Sequence, residues 1–158
     1  MPLTGPTLVC YDGSEGSRNA LHSVGPVVAV RDFVVLTVWQ PLTTRLESTS
    51  GFAVIVPDDE AELDTEEEAA ARDAAEDGAR RCRDAGFAAT ARVAESIGPV
   101  WETIVAIADE IDSALLVCGT RGRGSVESFL LGSTSRALLR HARRPLLIAP
   151  EPPPEIGG

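Results

Sequence analysis

Lysine is absent from this chain; its 14 lysine-plus-arginine positions are all arginine. That excludes a P-loop lysine on a nucleotide phosphate, a Schiff-base lysine, and the lysine beside a phosphorylated aspartate. Histidine is scarce too. His22 and His141 lie far apart in helical patterns, with no second histidine at ligand spacing, so they read as helix-surface residues rather than metal ligands. The cysteines Cys10, Cys82 and Cys118 form no CxxC pair and no disulfide framework. They are expected as small buried hydrophobes in a reducing compartment. No apolar run approaches the length of a membrane span, and Met1-Pro2-Leu3-Thr4 begins no signal peptide. The expected location is therefore cytoplasmic. Positive charge is in deficit: a net charge of −10 and a pI near 4.6 argue against a nucleic-acid partner.

What is present suits one compact domain. The chain has 158 residues, 44% of them hydrophobic. Residues 1–150 are expected to form that domain, and 151–158, rich in proline and glycine, a disordered tail. Thr7–Tyr11 reads as a short apolar strand stopping at the turn Asp12-Gly13-Ser14, which carries a helix cap. A helix is expected over Glu15–Val30, kinked or weakened at Gly25-Pro26. Val34–Trp39 is nearly all apolar, as a strand covered on both faces requires. The pattern is lost over 40–59, apart from the apolar piece Phe52–Val56, for which a lid, a partner surface and an extra strand all stay open. Asp58–Ala85 reads as one long helix with acids at its start, arginines at its end and a small inner face of Ala71, Ala75, Gly78 and Cys82. Ala88–Ala94 alternates as an edge-side strand, and Gly98-Pro99 opens a helix whose stripe runs from Val100 to Ile111. Ala114–Val117 and Pro145–Ala149 are the last two strands.

This β-α-β-α-β-α-β-α-β order predicts an α/β fold, a doubly wound five-stranded parallel sheet with helices on both faces, taken here with strand order 3-2-1-4-5. Such sheets bind ligands at the carboxyl ends of strands where the winding reverses, here between strands one and four. Asp12 and Gly119 are thereby brought together from opposite ends of the chain, and Cys10 meets Cys118, which leaves a redox-sensitive pair open. The stretch Leu115–Ser135, LLVCGTRGRGSVESFLLGSTS, organises this site. A buried strand breaks into glycine at Gly119, Gly122, Gly124 and Gly132, and Ser133, Thr134 and Ser135 then enter a helix. Glycine admits close backbone approach, and a hydroxyl-rich helix entry offers free N–H groups to an anion, most plausibly phosphate.

The spacing of Gly119, Gly122 and Gly132-Ser133, together with LVCYDGSEGSRNAL at the N-terminus, resembles the nucleotide-binding signature of the universal stress protein family. The resemblance covers nearly the whole chain and implies the same five-stranded parallel sheet, with ATP bound by motif-bearing members. It also implies a set of nucleotide-binding positions: Cys10, Tyr11 and Asp12 after the first strand, Val38 facing adenine, Cys118 lining the pocket, and Gly119, Gly122, Gly132 and Ser133 around the phosphates. Backbone N–H groups through Thr134 and Ser135, and the cations Arg121 and Arg123, would add to the phosphate site. Asp12 would accept from ribose hydroxyls or help hold Mg²⁺ bound with the nucleotide. Tyr11 departs from the smaller residue usual at its position and would narrow the adenine end. A homodimer through Leu146, Leu147 and Ile148 is implied as well, and pairing would cover an apolar edge.

Catalysis is not expected. Ser14, Ser125 and Ser133 lack the GxSxG elbow, no paired carboxylates stand out, and no residue is marked to position water. The expectation is a regulatory nucleotide binder with at most slow hydrolysis. A nucleotide-free dimeric interaction module of the same fold stays open, as does an adenylyl-transferring enzyme of the wider group, although the HIGH-like and lysine signatures of that group are absent.

Overall fold

The structure, a computed structural model, describes residues 4–28, 32–51, 55–121 and 131–151. Five parallel strands form one sheet: β1 (Thr7–Cys10), β2 (Asp32–Trp39), β3 (Ala88–Glu95), β4 (Leu115–Gly119) and β5 (Leu146–Ala149), in the order β3-β2-β1-β4-β5. The helices are α1 (Glu15–Val24), α2 (Leu42–Ser50), α3 (Glu60–Asp84), α4 (Val100–Glu110) and α5 (Ser133–His141). This is the expected doubly wound sheet. Leu8 pairs with Val34 on one side and with Leu116 on the other, so β1 is central and buried from Thr7 to Val9.

The two faces of the sheet carry separate cores. Val9, Val35 and Val117 pack with Ala20, Val24, Ala79 and Cys82 of α1 and α3, while Leu8, Leu36 and Leu116 pack with Ile104, Ala108 and Leu138 of α4 and α5. Alternate residues of one strand thus serve opposite layers, which is why these strands are apolar throughout.

Local chemistry sets the ends of the helices. The Ser14 hydroxyl accepts from the Ser17 N–H at 3.2 Å, capping α1. The helix stops at Val24 instead of running to Val30: Pro26 has no N–H to continue the ladder, and the N–H groups of Val27 and Val28 turn back to the Val24 carbonyl. Gly86, at φ 91°, ends α3 as expected.

The segment read as patternless between 40 and 59 contains α2. No residue of α2 is buried, so it has no apolar stripe to betray it. It is held from outside: the Leu42 N–H donates to Asp64 Oδ1 at 2.7 Å, Arg45 pairs with Glu67 at 2.9 Å, and left-handed Gly51 closes its end. Part of the apolar piece Phe52–Val56 lies outside the described residues, as do Gly122, Arg123, Gly124, Ser125 and the tail from 152. No helix among the described residues is long and apolar enough to cross a membrane.

Candidate functional site

A cleft of about 670 Å³ opens at the carboxyl ends of β1, β2 and β4. Its walls include Cys10, Tyr11, Asp12, Val38, Cys118, Gly119, Arg121, Gly132, Ser133, Thr134 and Ser135, every expected position that the structure describes. The parallel winding produces this convergence, since β1 and β4 run side by side and end at the same level.

The backbone at the crossing of β1 and β4 is packed too tightly for side chains. A Cβ on Gly119 would stand 2.8 Å from the Gly16 carbonyl oxygen, and a Cβ on Gly16 would stand 2.8 Å from that of Arg121. Gly119 therefore lets the first turn of α1 nest against the strand end, a role in packing that its place in a glycine motif does not reveal. Past the loop, the Gly132 N–H donates to the Thr120 carbonyl at 2.7 Å, and the Ser135 hydroxyl donates to Thr120 O at 3.0 Å and Gly132 O at 3.2 Å. Ser135 thus ties the two ends of the glycine loop together, so its hydroxyl is spent on the loop. Its backbone N–H belongs to the first turn of α5, along with those of Ser133 and Thr134. The first intrahelical bond comes only at Arg136 N–H to Gly132 O, 3.0 Å, and no side chain caps the helix. Three donors and the positive end of the helix dipole consequently face the cleft.

The side chains at the β1 end are placed differently from expectation. Tyr11 is buried and its ring lies on α3: a Cβ on Gly78 would sit 3.0 Å from Tyr11 Cδ1, and the hydroxyl donates to Asp77 Oδ2 at 2.8 Å. The ring is taken up by the α1–α3 core, while Tyr11 still contributes to the cleft wall. Asp77 in turn sits below the usual carboxylate range because Arg81 bonds it and Tyr11 donates to it. Asp12 Oδ1 accepts the Ser14 N–H at 2.9 Å, an Asx turn that fixes the carboxylate at the mouth of the cleft. Cys10 and Cys118 follow the paired residues Val9 and Val117 on neighbouring strands. Burial pushes the Cys118 thiol up to about 11 and raises that of Cys10 further, with Cys118 and Asp12 adding to the shift. Both stay protonated at neutral pH, which disfavours thiolate chemistry.

Arg121 lines the cleft but pairs with Glu151 at 2.5 Å. The segment after β5 is anchored at its start: Asn19 donates to the Pro150 carbonyl, and Glu151 meets Arg121. Sequence reasoning missed several cleft residues. Thr37 donates to the Tyr11 carbonyl at 2.7 Å, Gln40 Nε2 donates to Gly98 O at 2.8 Å, and Arg45 and Glu67 bring an ion pair from α2 and α3. Thr37 and Gln40 flank Val38 at the end of β2 and were legible there by position. Arg45 was hidden with the helix that carries it.

Comparison with known proteins follows the same lines. A sequence model of the Universal stress protein family matches residues 5–150. Universal stress protein Rv1996 of Mycobacterium tuberculosis is 41% identical over 56 residues, which is 35% of this chain and 17% of that protein. The chain thus spans a small part of the length of that relative. Among solved structures, hypothetical protein MJ0577 aligns with a TM-score of 0.74 at 22% identity, over 96% of this chain and 99% of that one. UspA from Lactobacillus plantarum aligns at 0.72 and 19% identity, over 92% and 97%. A family protein from Arabidopsis thaliana with AMP bound aligns at 0.59 and 14%, over 98% and 97%. Two further structures, a universal stress protein with cAMP and one from Archaeoglobus fulgidus with dAMP, each align at a TM-score of 0.57. At these identities the likeness establishes the fold. With the family model spanning residues 5–150, the chain belongs to the universal stress protein family.

Proposed function

We propose that the cleft between β1 and β4 binds an adenine nucleotide, ATP with Mg²⁺, as a regulatory or assembly signal. The observation that carries this reading is the uncapped start of α5, whose first-turn N–H groups open into a 670 Å³ cleft. Relatives of the same fold that carry AMP, cAMP or dAMP support the adenine class.

The residues suit such a ligand. Ser133, Thr134 and Ser135 supply backbone donors to phosphate oxygens, and Ser133, which is exposed, adds its hydroxyl. Arg121 exchanges Glu151 for phosphate, a charge-assisted bond of the same kind. Val38, Val100 and Ile104 give the cleft an apolar wall for a base. Asp12, held by its turn, faces ribose hydroxyls or the Mg²⁺ that travels with the phosphates. Bound nucleotide would supply its own metal-chelating phosphates. Among the described residues no cluster of three or more metal-ligating side chains forms a site by itself.

Turnover is at most slow. Among the described residues the carboxylates lining the cleft are Asp12 and Glu67; Glu67 is paired with Arg45, and Asp12, held at Oδ1 by the Ser14 N–H, is given to the sugar or the metal, so neither is set to position an attacking water. The protein acts in the cytoplasm as a homodimer joined through β5.

Thermal unfolding with and without Mg-ATP tests the reading. At about a hundred times the dissociation constant, binding stabilises by about 2.7 kcal/mol and raises the midpoint by roughly 5–10 °C. Gly132→Val is expected to lose the shift because its branches crowd the helix entrance; its Cβ would lie 3.3 Å from the Thr120 oxygen, so the loop end must give slightly, and a retained cooperative transition without ligand shows that the variant folds. A wild-type protein free of co-purified nucleotide that shows no shift would favour the interaction module.

A further inference from the structure

At the opposite end of the sheet a second cavity, of about 440 Å³, lies between α1, the start of β2 and the end of α3. Its floor is apolar and aromatic. Leu21 and Phe33 are buried there, and Phe87 meets Phe33 edge to face at 5.1 Å between ring centroids. Gly25 at the end of α1 makes room for this arrangement, since a Cβ there would stand 3.0 Å from Phe87 Cε2. Among the described residues the polar lining is Arg18, His22 and Arg81, all exposed, with no carboxylate, in a chain of net charge −10. Arg81 is shared with Asp77 at 2.8 Å. Arg18 lies against the Tyr11 hydroxyl and has no carboxylate partner among the described residues.

We propose that this cavity is a binding site for a small aromatic carboxylate, its ring against Phe33 and Phe87 and its carboxylate on Arg18. The volume lies in the range of small-molecule sites, whose walls are mostly apolar with a few polar groups fixing orientation. Aromatic side chains select a flat ring through stacked and edge contacts. Arginine selects a carboxylate, which its planar fork matches in two bonds. A cationic ligand would be repelled by Arg18 and Arg81, and a wholly apolar one would leave the exposed Arg18 guanidinium to water and gain nothing from it.

Titration with 2-naphthoate, followed by amide chemical shifts of the full-length protein, tests the site. Saturable binding should move the amides of Leu21, Cys82 and Phe87. 2-Naphthalenemethanol, the same ring without the charge, should bind roughly tenfold more weakly, as should 2-naphthoate to Arg18→Gln. Ala85→Phe, at an exposed residue of the cavity wall, should fill the space and abolish binding while leaving the unfolding midpoint unchanged. Equal binding of acid and alcohol would overturn the assignment without recourse to any variant. So would shifts at Gly119 and Ser133 instead, or no saturation at millimolar probe.

Discussion

The three thiols show how placement decides chemistry at the scale of a residue. Cys82 and Cys118 are both pushed up to about 11 by burial, against about 8.5 for a free thiol. A group whose folded value stands above its unfolded one stabilises the fold fully below the unfolded value, and that stability is lost as pH rises toward the folded one. Stability should therefore decline between about pH 8.5 and 11, by on the order of 3 kcal/mol per thiol. Urea unfolding across this window should show a shallower decline in Cys118→Ala than in wild type, whatever the cost of its cavity at neutral pH. An unchanged slope would show that Cys118 ionises as readily folded as unfolded. The places of Cys118 at a strand end and of Cys82 on the inner face of a helix could be read from the sequence, but their protonation could not. It depends on how much water reaches the sulfur, which the packing of α4 and α5 sets for Cys118 and that of α1 and α3 on the sheet sets for Cys82.

At the scale of an element, α3 illustrates a helix specified by what it omits. Its inner face was legible as Ala71, Ala75, Gly78 and Cys82, and all four are buried. The reason for glycine at 78 was not. A Cβ there would stand 2.7 Å from Val35 Cγ1 and 3.0 Å from Tyr11 Cδ1, and both of those residues are buried. Gly78→Ala would gain about 1 kcal/mol in helix propensity and lose about 1–3 kcal/mol to overpacking. The expected net is a destabilisation of about 1 kcal/mol, measurable by denaturant titration; a stabilised variant would mean that Tyr11 can shift away at little cost. Helix α2 makes the converse point. It has no buried residue, so periodicity could not find it, and only its capping glycine, Gly51, left a local trace. Its Asp64 and Arg45 contacts bridge 22 residues of sequence, beyond the reach of any local pattern.

For the whole molecule, the two open edges of the sheet differ in kind. At one edge β3 exposes small and polar positions, including Thr90, and Arg92 there pairs with Glu110 at 2.8 Å. At the other, β5 presents Leu146, Leu147 and Ile148, each half-buried, with β4 on one side alone. A charged edge resists pairing and an apolar one invites it. Light scattering with size exclusion should accordingly give twice the 16.7 kDa chain mass at micromolar concentration. A monomer at that concentration would rule out the β5 homodimer.

The sequence by itself determined the doubly wound parallel class, because near-continuous apolar strands alternating with helical stripes leave few windings, and right-handed crossovers prune the rest. Which strands are neighbours is decided by the pairing of β1 with both β2 and β4. It also marked the positions that gather at the cleft, because glycine, aspartate and a hydroxyl-rich helix entry carry local backbone requirements that can be read one residue at a time. Only the tertiary structure decided which way Tyr11 turns, that Ser135 closes the loop, that Glu151 meets Arg121 and that a cationic rim assembles around Phe33 and Phe87. Each of these depends on a partner far away along the chain, and such contacts exist only once the sheet has brought the two segments together.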